Sequence, residues 1–310
     1  MEFFLPIAHM DVNIVLILFY GAVVGFLSGL VGVGGGFLIT PLLIFTGIPP
    51  IVAVSSGAAQ MAGTASGASY LHWRHGNIDF KMALILLTGS WLGGGFGVYL
   101  AKLLLRDGEF GNVVVFLYVI LLGFIGLSML AESLQAVFRA PAASDAPAPA
   151  ARNSLLRSWV ERLPWQTAFP ASSARLSVVG LLLLGASVGI LTSLMGVGGG
   201  FIMVPAMIYL LKLPTKIAVG TSLFQLLFTT AAVSIMQAGV NHSVDPFLAL
   251  ILIFGSVLGT KLGAQLGARL PAEKLRLILA LVVVAVAVKM VVTLLIPPDD
   301  IYDMTVDLRR

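Results

Sequence analysis

The 310-residue chain contains no cysteine, which excludes disulfide frameworks, thiolate zinc sites, iron–sulfur clusters and cysteine nucleophiles. Charged side chains are also scarce: they make up 10% of the residues, against about 25% in soluble domains. Hydrophobic residues make up 58%, and the mean hydropathy is +1.02. This composition excludes a large water-soluble domain and indicates a protein embedded in a lipid bilayer.

The motifs of several enzyme and binding classes are missing as well. No buried Asp pair, Ser/Lys dyad or His-Glu-x-x-His helix is present, as an intramembrane enzyme would need. His72 and His75 lack a third ligand at metal-binding spacing. The basic residues lie in short loops and do not cluster as they do in nucleic-acid binders. We therefore expect a protein that is not an enzyme, has no cofactor or metal site, and binds no nucleic acid.

What the sequence does contain is a series of apolar runs. They cover residues 12–31, 36–47, 51–70, 80–101, 112–137, 176–195, 200–211, 216–238, 246–268 and 276–296. Helices in these runs predict an all-α polytopic membrane protein with two transmembrane repeats, 1–138 and 176–297. An Ala/Pro-rich linker (139–175) separates the repeats, and a polar tail (298–310) follows. Within the linker, residues 155–163 fit either a surface amphipathic helix or a mobile connection.

The two halves repeat each other in sequence. Offset by 164 residues, Gly21 to Pro41 and Gly185 to Pro205 are identical at 13 of 21 positions, including Gly-Val-Gly-Gly-Gly-Phe in both copies. Offset by 166 residues, Asp79 to Leu100 matches the segment starting at Asp245 at 11 of 22 positions. The chain is therefore an internal duplication with short insertions between the matched blocks.

Five segments per half is an odd number, so the second repeat would enter the membrane from the opposite side, as an inverted repeat. With both termini outside, twelve Lys and Arg residues fall in inward loops and four in outward regions, which follows the positive-inside rule. This arrangement places the central linker in the cytoplasm and both termini in the periplasm. The alternative, in which the short second segments do not cross, would make the halves parallel.

The short second segments, 36–47 and 200–211, each begin in a run of three glycines. Paired helix breaks of this kind are the best sequence indication of a transporter's binding site, since unwound backbone is tolerated at depth only where it lines a cavity. Free N–H groups at the start of the following helix attract an anion. The predicted substrate cradle is Gly34, Gly35, Gly36, Gly198, Gly199 and Gly200. The alternative is that the glycines only allow close helix packing.

Polar residues within the spans are the second group of candidates. The candidates for substrate binding are Ser56, Gln60, Thr221, Ser222 and Gln225. Pairs four residues apart share a helix face and could donate to one ligand, or could form interhelical hydrogen bonds instead. Lys261 is a third candidate because a charge inside a span is costly and often functional, although it could also extend to the membrane surface.

The repeated Leu-x-Gly-Val-Gly-Gly-Gly-Phe, with Pro41 and Pro205 following, resembles the sulfite exporter TauE/SafE family. The Gly-Asn-Ile-Asp that ends at Asp79 and its echo His-Ser-Val-Asp at Asp245 belong to the same resemblance. The resemblance implies a carrier of sulfite or an organosulfonate in the bacterial inner membrane, acting mainly in export. Its expected partners are a small anionic substrate and the lipid bilayer, and homodimer formation stays open.

Two other functions remain open from the sequence. A passive anion channel or a non-transporting membrane subunit would have the same composition. Neither explains why helix breaks occur at matching places in the two halves. The sequence therefore favours a secondary transporter that works by alternating access.

Overall fold

A computed structural model describes residues 2–31, 36–138, 165–169, 174–211, 213–267 and 272–295. Within these ranges a helix lies in every predicted apolar segment. The first half contains α1 (Ile14–Val31), a short 3₁₀ helix (Gly36–Leu38), α2 (Ile39–Phe45), α3 (Pro50–Arg74), α4 (Phe80–Arg106) and α5 (Phe110–Phe138). The predicted all-α membrane fold is confirmed at this level.

The second half has the same order of elements. It contains α6 (Val178–Met195), α7 (Gly200–Pro205), a π-helical turn (Ala206–Leu210), α8 (Thr215–Asn241), α9 (Pro246–Gly267) and α10 (Ala272–Leu295). The short second segment is thus irregular in both copies, a 3₁₀ turn in the first and a π turn in the second. Neither segment forms one continuous α-helix long enough to cross a bilayer.

Each half also begins with a β-hairpin, which the apolar pattern did not indicate. The strands β1 (Glu2–Leu5) and β2 (Met10–Asn13) precede α1, and β3 (Gln166–Phe169) and β4 (Ala174–Ser177) precede α6. Both hairpins are antiparallel. Each one contacts the fourth helix of the opposite half: Ile7 N–H donates to Asp245, and the Lys81 ammonium donates to the Ala168 carbonyl. Part of the predicted linker is therefore a folded hairpin, while residues 155–163 lie outside the described ranges.

The first helix of each half packs on the fourth helix of the other half through glycines. A Cβ atom added at Gly25 would lie 2.2 Å from the Ser256 carbonyl oxygen, and one at Gly93 would lie 2.0 Å from the Ala186 carbonyl oxygen. Because glycine has no Cβ, the backbones of α1 and α9, and of α4 and α6, come into direct contact. Along α1, Gly21, Gly25 and Gly29 meet Leu252, Ser256 and Thr260 in that order, so α1 and α9 run parallel.

The third helices form the centre of the molecule. The end of α3 meets the start of α8, where Asp79 N–H donates to the Thr221 hydroxyl over 3.0 Å. The start of α3 meets the end of α8, where the Ser55 and Ser243 hydroxyls are 2.8 Å apart. The two helices are therefore antiparallel, and the polar residues that the sequence places on them, including Gln60 and Gln225, are buried.

Six of the described helical segments are long and apolar enough to span a membrane. They are Phe80–Arg106, Phe110–Ala131, Val178–Met195, Thr215–Asn241, Pro246–Leu266 and Leu277–Leu295. The helix α3 has the length but not the hydropathy, because Ser55, Ser56 and Gln60 interrupt its apolar sequence. All three are buried in protein, so the low hydropathy of α3 does not place polar groups in lipid.

We expect Gly25→Ala to destabilise the folded protein, because the added methyl group would overlap backbone atoms of Ser256 that cannot move away. Overpacking of this kind costs about 1–3 kcal/mol, and the melting temperature of the purified protein should fall by several degrees. Gly123→Ala on α5 is the matched control, since its Cβ would meet nothing within 4 Å. Equal melting temperatures for the two variants would contradict the close contact of α1 and α9.

Candidate functional site

In the second half, the helix break between α6 and α7 consists of glycines in backbone conformations that other residues avoid. Gly196, Gly198 and Gly199 have φ angles of +68°, +69° and +73°, in the left-handed region that favours glycine. They connect α6 to the short helix α7, which begins at Gly200. Two of the predicted cradle residues, Gly198 and Gly199, therefore form the turn itself. In the first half, Gly34 and Gly35 lie outside the described residues, and Gly36 begins the 3₁₀ helix.

The two breaks meet at the centre of the protein. Phe37 and Phe201, which occupy the same place in the two repeats, stack with ring centroids 4.1 Å apart and planes 18° apart. Met61 of α3 lies against both breaks: a Cβ added at Gly36 would lie 2.0 Å from its Cε, and one at Gly198 would lie 2.4 Å from its Sδ. Gly36 and Gly198, the predicted cradle residues from the two halves, therefore lie on the same side chain.

A chain of hydrogen bonds lies beside this centre in the first half. Gln60 Nε2 on α3 donates to Ser256 Oγ over 2.7 Å, and Ser256 Oγ donates to the Gly21 carbonyl over 3.1 Å. All three residues are on different helices, so the chain links α3, α9 and α1. The bond to the carbonyl uses the only proton of the Ser256 hydroxyl, so the amide nitrogen of Gln60, and not its oxygen, must face Ser256.

The second half contains the equivalent chain. Gln225 Nε2 on α8 donates to Ser90 Oγ over 2.6 Å, and Ser90 Oγ donates to the Leu86 carbonyl at 2.8 Å or the Gly185 carbonyl at 3.0 Å. Gln225 Nε2 also donates to Thr229 Oγ1 over 3.2 Å. The repeat in the sequence is therefore also a repeat of one polar network, with each glutamine bound to a helix of the other half.

Both glutamines keep an unsatisfied acceptor. The Oε1 atoms of Gln60 and Gln225 are buried and have no hydrogen-bond partner among the described residues. A buried carbonyl oxygen without a donor costs about 1–3 kcal/mol, so such atoms usually meet water or a ligand. The two equivalent oxygens are free to accept a hydrogen bond from whatever enters the centre.

The hydroxyl groups of the predicted site are already engaged in the structure. Ser56 Oγ accepts from Asp245 N–H over 3.0 Å, as Thr221 accepts from Asp79 N–H in the other half. Ser222 Oγ donates to the Val219 carbonyl over 2.9 Å. Ser56 and Thr221 thus bind the start of the fourth helix in the opposite half. Asp79 and Asp245 also accept from N–H groups in the first turns of α4 and α9, so both residues cap these helices.

An open cavity of about 590 Å³ lies between α1, α3, α8 and α9. We refer to it as the open cavity; its wall includes Gly29, Thr64, His72, Leu223 and Lys261. Gln60, Thr64, Ala68 and His72 follow one another at intervals of four residues and share one face of α3. The distance from Gln60 to His72 along the helix is about 18 Å, so the cavity leads from one surface of the protein toward the Gln60 network.

The structure therefore places seven of the predicted site residues in three groups. Gly36, Gly198, Gly199 and Gly200 lie at the breaks, Gln60 and Gln225 lie in the two networks, and Lys261 lines the open cavity. Ser256 and Ser90 were not predicted as site residues, although both lie in the repeated Gly-Ser pair. His72 was not predicted as a site residue, and it lines the open cavity. Its spacing of twelve residues from Gln60 was the available signal.

Comparisons with known proteins find a matching family model and related membrane transporter proteins. The family model for the sulfite exporter TauE/SafE matches residues 17–290. The probable membrane transporter protein YunE of Bacillus subtilis is 27% identical over 79% of this chain and 85% of its own length. YjnA, another probable membrane transporter protein of Bacillus subtilis, is 29% identical over 80% of this chain and 87% of its own length. A probable membrane transporter protein of Xylella fastidiosa is 27% identical over 76% and 78%. No solved structure matches the chain.

A double-mutant cycle tests the first network. Gln60→Leu and Ser256→Ala each remove one partner of the same hydrogen bond, so we expect the double variant to lose less stability than the sum of the single losses. A neutral hydrogen bond contributes about 0.5–1.5 kcal/mol, and contacting residues show such coupling. The measurement is the melting temperature of the detergent-purified variants. Gln60→Leu with Ser90→Ala, which are not bonded to each other, is the control pair and should be additive. Additivity in both pairs would contradict the network.

Proposed function

Because the chain belongs to the sulfite exporter TauE/SafE family, we propose that it is a secondary transporter that exports a small sulfur-containing anion across the bacterial inner membrane. The substrate is sulfite or an organosulfonate, and transport proceeds by alternating access. The observation that carries the proposal is the meeting of two equivalent helix breaks at the centre of the molecule, where Phe37 and Phe201 stack. Such breaks at the interface of two repeats are typical of transporter binding sites.

The contacts between helices support an inverted repeat. The helices α1 and α9 run parallel, as do α4 and α6, whereas α3 and α8 are antiparallel. Tight loops reverse the chain between α3 and α4 and between α8 and α9. Together these relations give α6, α8 and α9 the opposite direction to α1, α3 and α4, as the proposed inverted repeat requires. The odd number of segments per half has the same consequence.

The glycine breaks supply the chemistry for an anion. With φ positive at three glycines, the backbone turns without a side chain in front of its N–H groups. The conformation can thus present N–H donors to a negatively charged group, as successive backbone N–H groups do in other anion sites. The amides of Gln60 and Gln225 lie in the flanking networks, and their free oxygens accept a hydroxyl proton of a hydrated or protonated anion.

The two sides of the molecule differ in the way that alternating access requires. The open cavity reaches inward along α3, past Ala68. At the equivalent place beside α8, Val233 lies where Ala68 stands in the first repeat, and its methyl group is 3.0 Å from the position of a Cβ at Gly94. Val233 is buried with Ala58 and Val98. An access path that is open on one side and packed on the other corresponds to one state of an alternating-access cycle.

The charge distribution supports the orientation. The open cavity reaches the side on which α3 ends and α4 begins, where Arg74 is the last residue of α3 and Lys81 is the second residue of α4. Positive residues at helix ends favour the cytoplasmic side, which supports an orientation with the open cavity facing inward and both termini in the periplasm.

Counterflow in proteoliposomes tests the function. Vesicles loaded with unlabelled sulfite, taurine or sulfoacetate should transiently accumulate the same labelled compound, and the rate should saturate with concentration. A carrier shows this overshoot because it exchanges one bound anion for another, whereas a channel only equilibrates the label. Equilibration without overshoot would favour a passive anion channel. The absence of flux for all three compounds would contradict the proposed function.

We expect Gly199→Ala to lower the transport rate at least tenfold while the protein still inserts and purifies. A non-glycine residue at φ +73° costs about 1–2 kcal/mol, and the added Cβ would lie 2.0 Å from a methyl group of Val188. The matched control is Gly108→Ala, which has φ +75° but no atom within 4 Å of the added Cβ. Both variants have a strained backbone, and only the first lies at the break. Unchanged flux in Gly199→Ala would show that the break is not the binding site.

A further inference from the structure

The wall of the open cavity combines apolar side chains with a single fixed positive charge. Leu223, Val257 and several small residues make up most of its surface. Among the described residues that line it there is no Asp or Glu. Lys261 therefore faces the cavity without a carboxylate among the described lining residues to neutralise it.

The hydroxyl groups of the wall have little left to donate. Thr64 Oγ1 donates to the Gln60 carbonyl at 3.2 Å or the Met61 carbonyl at 3.1 Å. Thr260 Oγ1 donates to the Ser256 carbonyl over 2.7 Å, with the Gly25 carbonyl at 3.1 Å. Each hydroxyl has one proton, so neither can bind an anion without giving up a backbone acceptor. The Lys261 ammonium adds three N–H donors to this wall, which also contains His72, whose buried Nδ1 has no hydrogen-bond partner among the described residues.

The position of Lys261 along α9 can be measured from the polar network of Gln60. It follows Thr260, which contacts α1 at Gly29, and it lies five residues beyond Ser256 of the Gln60 network. This separation is about 7.5 Å along α9. Lys261 thus stands between the mouth of the cavity, marked by His72, and the central breaks.

The other half has no equivalent charge. The residue that matches Lys261 in the repeat is Gly95, and the residue that matches His72 is Gln237. A Cβ added at Gly95 would lie 3.9 Å from the sulfur of Met236, and Gln237 donates to the Ser193 carbonyl over 3.0 Å. The duplicated fold therefore carries its cationic group on one side alone within the described ranges.

We propose that Lys261 forms a waiting site for a small sulfonate-type anion in the open cavity, which holds the anion before it reaches the helix breaks. The site draws the anion from the cytoplasmic side and has no counterpart on the periplasmic side. The apolar wall accommodates a short organic body, and the ammonium binds the charged head. This inference rests on the proposed function for the direction of transport, but the site itself can be measured without transport.

Thiol labelling tests the site, because the natural chain has no cysteine. Ala68→Cys places one thiol in the cavity wall. Its reaction rate is measured with two methanethiosulfonate reagents of similar size, one carrying a sulfonate and the other a trimethylammonium group. The experiment uses purified protein in phosphatidylcholine liposomes and compares Lys261, Lys261→Gln and Lys261→Arg. Lys102→Gln, which removes an exposed lysine at the far end of α4, is the control.

The measured quantity is the rate with the sulfonate reagent divided by the rate with the ammonium reagent. We expect this ratio to fall about tenfold in Lys261→Gln, because a nearby unit charge favours one reagent and disfavours the other. It should be retained in Lys261→Arg and Lys102→Gln. Methanesulfonate, at constant ionic strength, should slow the labelling when Lys261 is present and not in Lys261→Gln. An unchanged ratio in Lys261→Gln, or no labelling of Ala68→Cys, would overturn the proposal.

A lipid headgroup could supply the same anionic chemistry, so the labelling is repeated with phosphatidylglycerol in the liposomes. If the lipid removes the effect of Lys261 and methanesulfonate no longer protects, the lysine binds lipid and the proposal of a soluble anion fails. Labelling that depends on Lys261 in a protein without counterflow would leave the site intact and refute transport. Counterflow together with a labelling ratio that does not depend on Lys261 would support transport and refute the site.

Discussion

A break in a helix inside hydrocarbon leaves backbone N–H and C=O groups that lipid cannot satisfy, and the rest of the fold is arranged around this requirement. At the end of α6, two carbonyl groups lose their helical partners because the chain turns at Gly196. The Tyr118 hydroxyl donates to the Met195 carbonyl over 2.6 Å, and Gln237 Nε2 donates to the Ser193 carbonyl over 3.0 Å. Tyr118 comes from α5 and Gln237 from α8, so helices of both halves stabilise the break. The polar residues of the central helices are therefore needed for the fold as well as available for a ligand.

The glycines of α1, α4, α6 and α9 do not lie at the breaks, but they allow the polar networks beside the breaks to form. Because α1 and α9 approach to backbone contact, the Ser256 hydroxyl reaches the Gly21 carbonyl, and the glutamine on α3 reaches Ser256 in turn. A side chain at Gly25 would separate the helices and lengthen that chain of bonds. The small residues thus determine whether the polar networks beside the breaks can form at all. The glycines of these four helices allow close backbone packing, and the glycines of the breaks are closely packed as well, against the side chains of Met61 and Val188.

Much of this architecture could be predicted from the sequence, because the length of each apolar run and the internal duplication are visible in it directly. The helical segments, the two short second segments and the capping role of Asp79 and Asp245 follow from such patterns. The partners of Gln60 and Gln225 do not, because Ser256 and Ser90 lie 196 and 135 residues away. The hairpins were missed because four-residue strands carry too little periodicity beside long apolar runs. The cavity was not predicted because it is the space between four helices. The sequence of a single segment does not indicate how far apart the helices lie.

The duplication also indicates which residues can make one side of the membrane differ from the other, namely those that differ between the two repeats. If the two halves were identical, the inward-facing and outward-facing states would be related by symmetry and equal in free energy. Every difference between matched residues shifts that balance or changes the affinity of one side alone. Ala68 and Val233 differ in volume and favour an opening beside α3, whereas Lys261 and Gly95 differ in charge and favour an anion there. In the proposed transporter, residues that the two repeats share build the site, and residues that they do not share give it a direction.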